Sequence, residues 1–119
     1  MVAAKRGPTY VPERGDAVWL TFDSAGGHEQ SGRRPAVIIS PRLYNSRSGL
    51  VIAAAVTSQI KGYPFEVRLP VGLEVSGAIL SDQVRTFDWR ARKLSRICSL
   101  PSGVVTELLG KLRVLVSEE

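Results

Sequence analysis

Two arginines, a glutamate and a pair of hydroxyls stand at spacings suited to work on a phosphodiester. Glu29-Gln30-Ser31-Gly32-Arg33-Arg34-Pro35 runs directly into the apolar stretch Ala36-Val37-Ile38-Ile39, and Thr57-Ser58-Gln59 follows the apolar end of Leu50–Val56. Strand ends hold side chains rigidly at the rim of a groove, and a guanidinium held there is a planar, two-pronged donor to phosphate oxygens. Metal-independent RNA cleavage needs a group that takes the 2'-OH proton, a donor to the departing 5' oxygen, and stabilisation of the phosphorane's added charge. Arg34 can stabilise the phosphorane, Thr57 can donate to a non-bridging oxygen, and Glu29 is the nearby group able to act as a base.

Other chemistries are excluded by count or by context. With one histidine, His28, and one cysteine, Cys98, the chain cannot assemble a zinc site or a two-histidine ribonuclease site. The glycines around Gly26-Gly27 lack the Gly-Lys-Ser/Thr and the helix of a phosphate loop. A serine triad would depend on His28 in a glycine-rich loop, without the strained nucleophile turn. Any phosphodiester chemistry therefore falls to arginine, hydroxyls and carboxylates, with no cofactor expected.

The 119 residues fit one domain, and the net charge of +5 favours a polyanionic partner. Cys98 permits no intrachain disulfide and reads as a small core residue. Lys5 and Arg6 are followed by no apolar run, so no signal peptide is read, and Leu50–Val56 is too short to span a bilayer. A cytoplasmic protein is expected.

The elements that must position these residues are short. Met1–Thr9 reads as a basic tail, Ala17–Phe22 as a first strand, and Ser24–Arg34 as a long loop. Pro35–Ser40 is expected to be a strand buried on both faces, Pro41–Gly49 a helical turn closed by glycine, and Leu50–Thr57 a third strand. Phe65–Leu69 alternates, which predicts Phe65, Val67 and Leu69 inside with Glu66 and Arg68 wet. Gly77–Phe87 forms a long strand with Ile79 and Val84 in the core, and Ile97 and Leu100 belong to a last short one. Six short strands with glycine and proline turns imply a small, strongly curved β-barrel or half-barrel. A C-terminal helix begins near Pro101, capped by Ser99 or Ser102. It places Val104, Leu108, Leu112 and Leu115, with Val105, Leu109 and Val116, on a core-facing side.

The chain resembles the MazF/PemK toxins of bacterial toxin–antitoxin pairs over nearly its whole length. The resemblance lies in Tyr10-Val11-Pro12, in Gly15-Asp16-Ala17-Val18-Trp19 and in Glu29-Gln30-Ser31-Gly32-Arg33-Arg34-Pro35-Ala36-Val37. It continues through Ser40-Pro41, Tyr44-Asn45, Thr57-Ser58-Gln59, Lys61-Gly62-Tyr63-Pro64-Phe65-Glu66-Val67, Gly77–Arg85 and Trp89–Arg92 in the same order. It implies an SH3-like barrel of the MazF/CcdB type with a C-terminal helix, forming a homodimer. It implies also a sequence-selective endoribonuclease that needs no metal and leaves 2',3'-cyclic phosphate and 5'-OH ends. The family's catalytic arginine falls on Arg34, its catalytic threonine on Thr57, and a glutamate of catalytic or substrate-binding function on Glu29. Arg33 stands where some members carry histidine, which leaves it as a binding charge.

Guanidinium is almost never deprotonated in proteins. Arg34 is accordingly assigned mainly to phosphorane stabilisation, with proton donation left open, and the base lies between Glu29 and a water. Ser58, Gln59, Lys61, Tyr63 and Gln83 are read as contacts to single-stranded RNA, with Phe65 assigned first to the core. Arg85, Arg90 and Arg92, next to Lys93 and Arg96, form a candidate surface for RNA phosphates or for the acidic tail of a MazE-like antitoxin. The alternatives are a CcdB-like poison of DNA gyrase and an RNA-binding barrel without cleavage.

Overall fold

The structure, a computed structural model, describes residues 10–22 and 32–118. Its elements are β1 (Asp16–Phe22), β2 (Gly32–Ile38), α1 (Arg42–Ser48), β3 (Leu50–Thr57), β4 (Glu66–Arg68), β5 (Ala78–Asp88), β6 (Ser95–Ser99) and α2 (Ser102–Val116). The strands form one antiparallel sheet in the order β4-β5-β3-β2-β1-β6, curved into a half-barrel of the SH3-like kind with α2 against it. Residues 1–9 and 23–31, which include Glu29 and His28 and most of the expected loop, lie outside the described residues.

Both faces of the central strands are apolar, which is why their sequences run apolar without alternation. Ala17, Val37, Ala54, Val56 and Ile79 face one core, which Val104 and Leu108 of α2 help to fill. Their neighbours Val18, Leu20, Ala36, Ile38 and Ala53 face a second core with Phe22, Phe87 and Trp89. Phe22 and Phe87 meet edge to face at 4.9 Å. The second core is partly roofed by charge. The Arg85 guanidinium lies 5.8 Å from the Phe22 ring and 5.1 Å from Phe87, Arg92 lies 5.9 Å from Phe87, and Arg90 lies 4.5 Å from Trp89.

Several boundaries differ from the sequence reading. β2 starts at Gly32, so Arg33 and Arg34 belong to a strand, where a loop through Arg34 was expected. Pro35 pairs with Trp19 of β1 but lies beyond the last β3 pair, Ala36–Ala55, and a proline is tolerated where one side of the strand is open. β2 stops at Ile38 because the Ile39 and Ser40 N–H groups both turn onto the Ile52 carbonyl. Neither serine caps α2. Pro101 occupies the N-cap position, Ser102 is already helical, and the Ser99 hydroxyl donates to Asp16 at 3.3 Å. The core-facing side of α2 ends at Leu112, and Leu115 and Val116, expected inside, are 50% and 75% exposed.

Two polar hubs tie the ends of the sheet together. Asp16 is buried and accepts from the Tyr10 hydroxyl, the Glu13 N–H and Ser99, which joins the incoming chain to β1 and β6. Asn45, fully buried, donates to the Pro12 and Ser40 carbonyls, while the Trp89 indole N–H donates to its backbone oxygen. Gly49 closes α1 in the left-handed region at φ 74°, its N–H on the Asn45 carbonyl.

Candidate active site

Arg34 and Thr57 each lie two residues beyond the Ala36–Ala55 pair, at the same end of neighbouring antiparallel strands. Both are half-buried. Thr57 is fixed from two sides. Its hydroxyl oxygen accepts from the Gln59 N–H at 3.1 Å, which starts the turn after β3. Gly77, at φ +110°, packs so closely that a Cβ there would stand 2.0 Å from the Thr57 carbonyl oxygen.

Arg34 and Thr57 line different cavities. One, of about 350 Å³, is lined by Arg33, Arg34 and Ser58 together with Trp19, Glu74 and Ile97. The other, of about 390 Å³, is lined by Thr57, Gln59, Lys61, Tyr63 and Gln83 together with Asp82. Ser58, the first residue after β3, lines the cavity that holds Arg34, whereas Thr57 and Gln59 line the other. A third depression, of about 400 Å³ beside Asp16 and the start of α2, contains none of the expected site residues.

A bulge shapes the Thr57 side. Ala54 pairs with Val84 but Val56 pairs with Ile79, so Leu80, Ser81, Asp82 and Gln83 stand against Ala55 alone. The extra residues arch β5 outward and present Asp82 and Gln83 to the cavity, as bulges beside active sites commonly do. On the opposite rim Glu66 is 6% exposed, not wet as its alternation predicted. Its carboxylate accepts from the Gly62 N–H at 2.9 Å and the Lys61 N–H at 3.3 Å, bonds that a period-two pattern cannot reveal. Phe65 is half-buried, its ring 5.3 Å from that of Tyr63, which is 50% exposed.

Arg33 is committed to the barrel. Its guanidinium donates to the Lys93 carbonyl at 2.8 Å, the Ser95 hydroxyl at 3.1 Å and the Thr21 hydroxyl at 3.4 Å, which braces β2 and β1 against the turn before β6. Arg85, Arg90 and Arg92 line neither cavity and stack on the aromatic rings of the second core. Cys98 is buried as expected, and burial pushes its thiol above the ordinary value, with Glu74 nearby. Among the described residues no three His, Cys, Asp or Glu side chains gather as a metal-ligand set, and no helix is long and apolar enough to cross a membrane.

Among the cavity residues that escaped the sequence reading are Trp19, Glu74 and Asp82. Trp19 carried a usable signal, since Val18, Leu20 and Phe22 already fill one face of β1 and leave a 41% exposed indole on the other. Asp82 carried none, because its placement depends on the bulge.

Comparison with known proteins agrees with this architecture. Residues 13–116 match the family model described as PemK-like, MazF-like toxin of type II toxin-antitoxin system. The endoribonuclease toxin MazF of Escherichia coli K12 is 42% identical over 107 residues, covering 90% of this chain and 96% of that protein. MazF from Deinococcus radiodurans superposes with a TM-score of 0.86 at 50% identity, covering 91% of this chain and 98% of that one. A Deinococcus radiodurans MazE–MazF structure gives 0.82 at 45%, covering 93% and 100%. Nothing in these matches supports the gyrase-poisoning alternative. The match spans both cavities and nearly all the described elements, and the chain belongs to the PemK-like, MazF-like toxins of type II toxin–antitoxin systems.

Proposed function

We propose that this endoribonuclease toxin holds and cuts single-stranded RNA at the strand end formed by Arg34 and Thr57. The observation that carries the reading is their shared position beyond the Ala36–Ala55 pair, where Arg34 lines one cavity and Thr57 another. Arg34 stabilises the phosphorane by hydrogen bonds from a guanidinium that keeps its own protons, the Thr57 hydroxyl donates a hydrogen bond to a non-bridging oxygen, and the departing 5' oxygen takes its proton from water. Ser58 lies on the Arg34 side. Gln59, Lys61, Tyr63 and Gln83 bind unpaired nucleotides on the Thr57 side, Tyr63 by stacking. Arg33 acts through the strand it braces, and Arg85, Arg90 and Arg92 add positive charge around the groove.

The 2'-OH proton goes to Glu29 or a water, or to one of the carboxylates the cavities offer, Glu74 beside Arg34 and Asp82 beside Thr57. Comparing Glu29→Gln, Glu74→Gln and Asp82→Asn assigns it: the variant that abolishes the acid limb of the pH–rate profile has lost the base.

The protein acts in the cytoplasm as a homodimer, and its partner is an antitoxin whose acidic segment competes with RNA for the basic groove, as MazE accompanies MazF in the Deinococcus radiodurans structure. Attack by the 2'-OH leaves a 2',3'-cyclic phosphate and a 5'-OH with no metal. Analysis of the cut ends tests this, and 3'-OH with 5'-phosphate products would contradict it.

A further inference from the structure

Glu66 is a buried carboxylate for which the cleavage chemistry has no use. Burial of such a group is unfavourable unless its oxygens are hydrogen-bonded. Here they accept the N–H groups of the successive residues Lys61 and Gly62, the second in the left-handed region at φ +80°. Adjacent backbone donors in that conformation form a concave anion site, and the anion in it is the protein's own side chain.

The segment from Gln59 to Tyr63 belongs to no helix or strand, so these bonds fix its path. Glu66 itself is anchored. Its N–H donates to the Tyr63 carbonyl at 3.1 Å, its carbonyl accepts from Lys111 of α2 at 2.7 Å, and it pairs with Leu80 across β4 and β5. Gln59, Lys61 and Tyr63, held in this way, are one wall of the Thr57 cavity.

We propose that Glu66 is a positioning residue that sets which bases the enzyme accepts, by holding Lys61, Gly62 and Tyr63 as the base-facing wall of the Thr57 cavity. The proposal rests on the reading that RNA occupies this cavity. Glu66 then governs recognition, and bond cleavage at Arg34 and Thr57 proceeds without it.

Three variants separate this from a general effect on stability. Glu66→Gln keeps one acceptor oxygen at the same reach, whereas Glu66→Ala removes both. Gly62→Ala leaves Glu66 in place and meets no atom within 4 Å, but strains the left-handed residue on which the anion site depends. Kinetics are measured on a short single-stranded RNA with the preferred site and on copies with one base changed, with thermal melting alongside.

For Glu66→Ala the expected result is a KM raised about tenfold at the preferred site, a preference over changed sites reduced about tenfold, and kcat within about threefold of wild type. Glu66→Gln restores most of the preference, and Gly62→Ala shifts it in the same direction as Glu66→Ala. Unchanged preference in both folded alanine variants, or a loss of kcat with KM and preference kept, overturns the proposal. If Glu66→Ala does not fold, Gly62→Ala decides alone: reduced preference supports the proposal and unchanged preference overturns it. A wild type that cuts no RNA overturns the underlying reading. A wild type whose site preference the folded variants leave unmoved overturns the Glu66 assignment only.

Discussion

Thr57 illustrates how one hydroxyl is prepared at the scale of a residue. Its oxygen already accepts a backbone N–H from Gln59, and an accepting hydroxyl keeps its own proton for donation. Thr57→Ala is expected to lower kcat by about 10²-fold, the usual cost of one donor to transition-state charge, with the fold intact. Thr57→Ser should keep most of the activity, and equal rates for threonine and alanine would remove Thr57 from the chemistry. Cys98 gives a second test. Burial raises its pKa and the thiolate is the reactive form, so at pH 8 its alkylation in the native protein should be slower than after unfolding. The native rate should still be climbing above the pH at which a free cysteine levels off. Equal native and unfolded rates in a timed mass-spectrometric labelling would contradict the burial.

At the scale of elements, the site depends on contacts between strand ends. Gly77 shows this most sharply, because any side chain there collides with the Thr57 carbonyl and must displace the end of β3. Gly77→Ala should therefore reduce cleavage by more than about tenfold, beyond what its melting temperature accounts for. Full activity with a normal melting curve would show that the strand end yields freely. The same contacts explain what the sequence could reveal. Continuous apolar runs located β1 and β3 to within a residue or so, helical spacing located α2, and Gly49 marked the close of α1. That Arg34 and Thr57 share one end of the sheet was legible because each flanks an apolar run in the sequence. Glu66 was not, since alternation in β4 predicts an exposed carboxylate and only the path of residues 61–62 makes it a buried acceptor. The start of β2 was misplaced for a related reason. Gly32, Arg33 and Pro35 read as loop residues, and it is pairing with β1 that makes them strand.

At the scale of the whole molecule, the charge of +5 and the arginines over the second core give a basic surface on the same barrel as the two cavities. Binding of an uncleavable single-stranded RNA should weaken steeply with salt, by roughly 0.7 logarithmic units per tenfold change for each phosphate neutralised. A flat salt dependence would remove the phosphate-tracking role of Arg85, Arg90 and Arg92. Whether Arg34 drives metal-independent RNA cleavage at this strand end is decided by a single comparison. Purified wild type and Arg34→Ala are each incubated with a long single-stranded RNA in excess EDTA, and the cut ends are mapped. Discrete cuts are expected from the wild type, and a rate lower by at least about 10²-fold from Arg34→Ala. No cutting by the wild type, or undiminished cutting by Arg34→Ala, would contradict that role for Arg34.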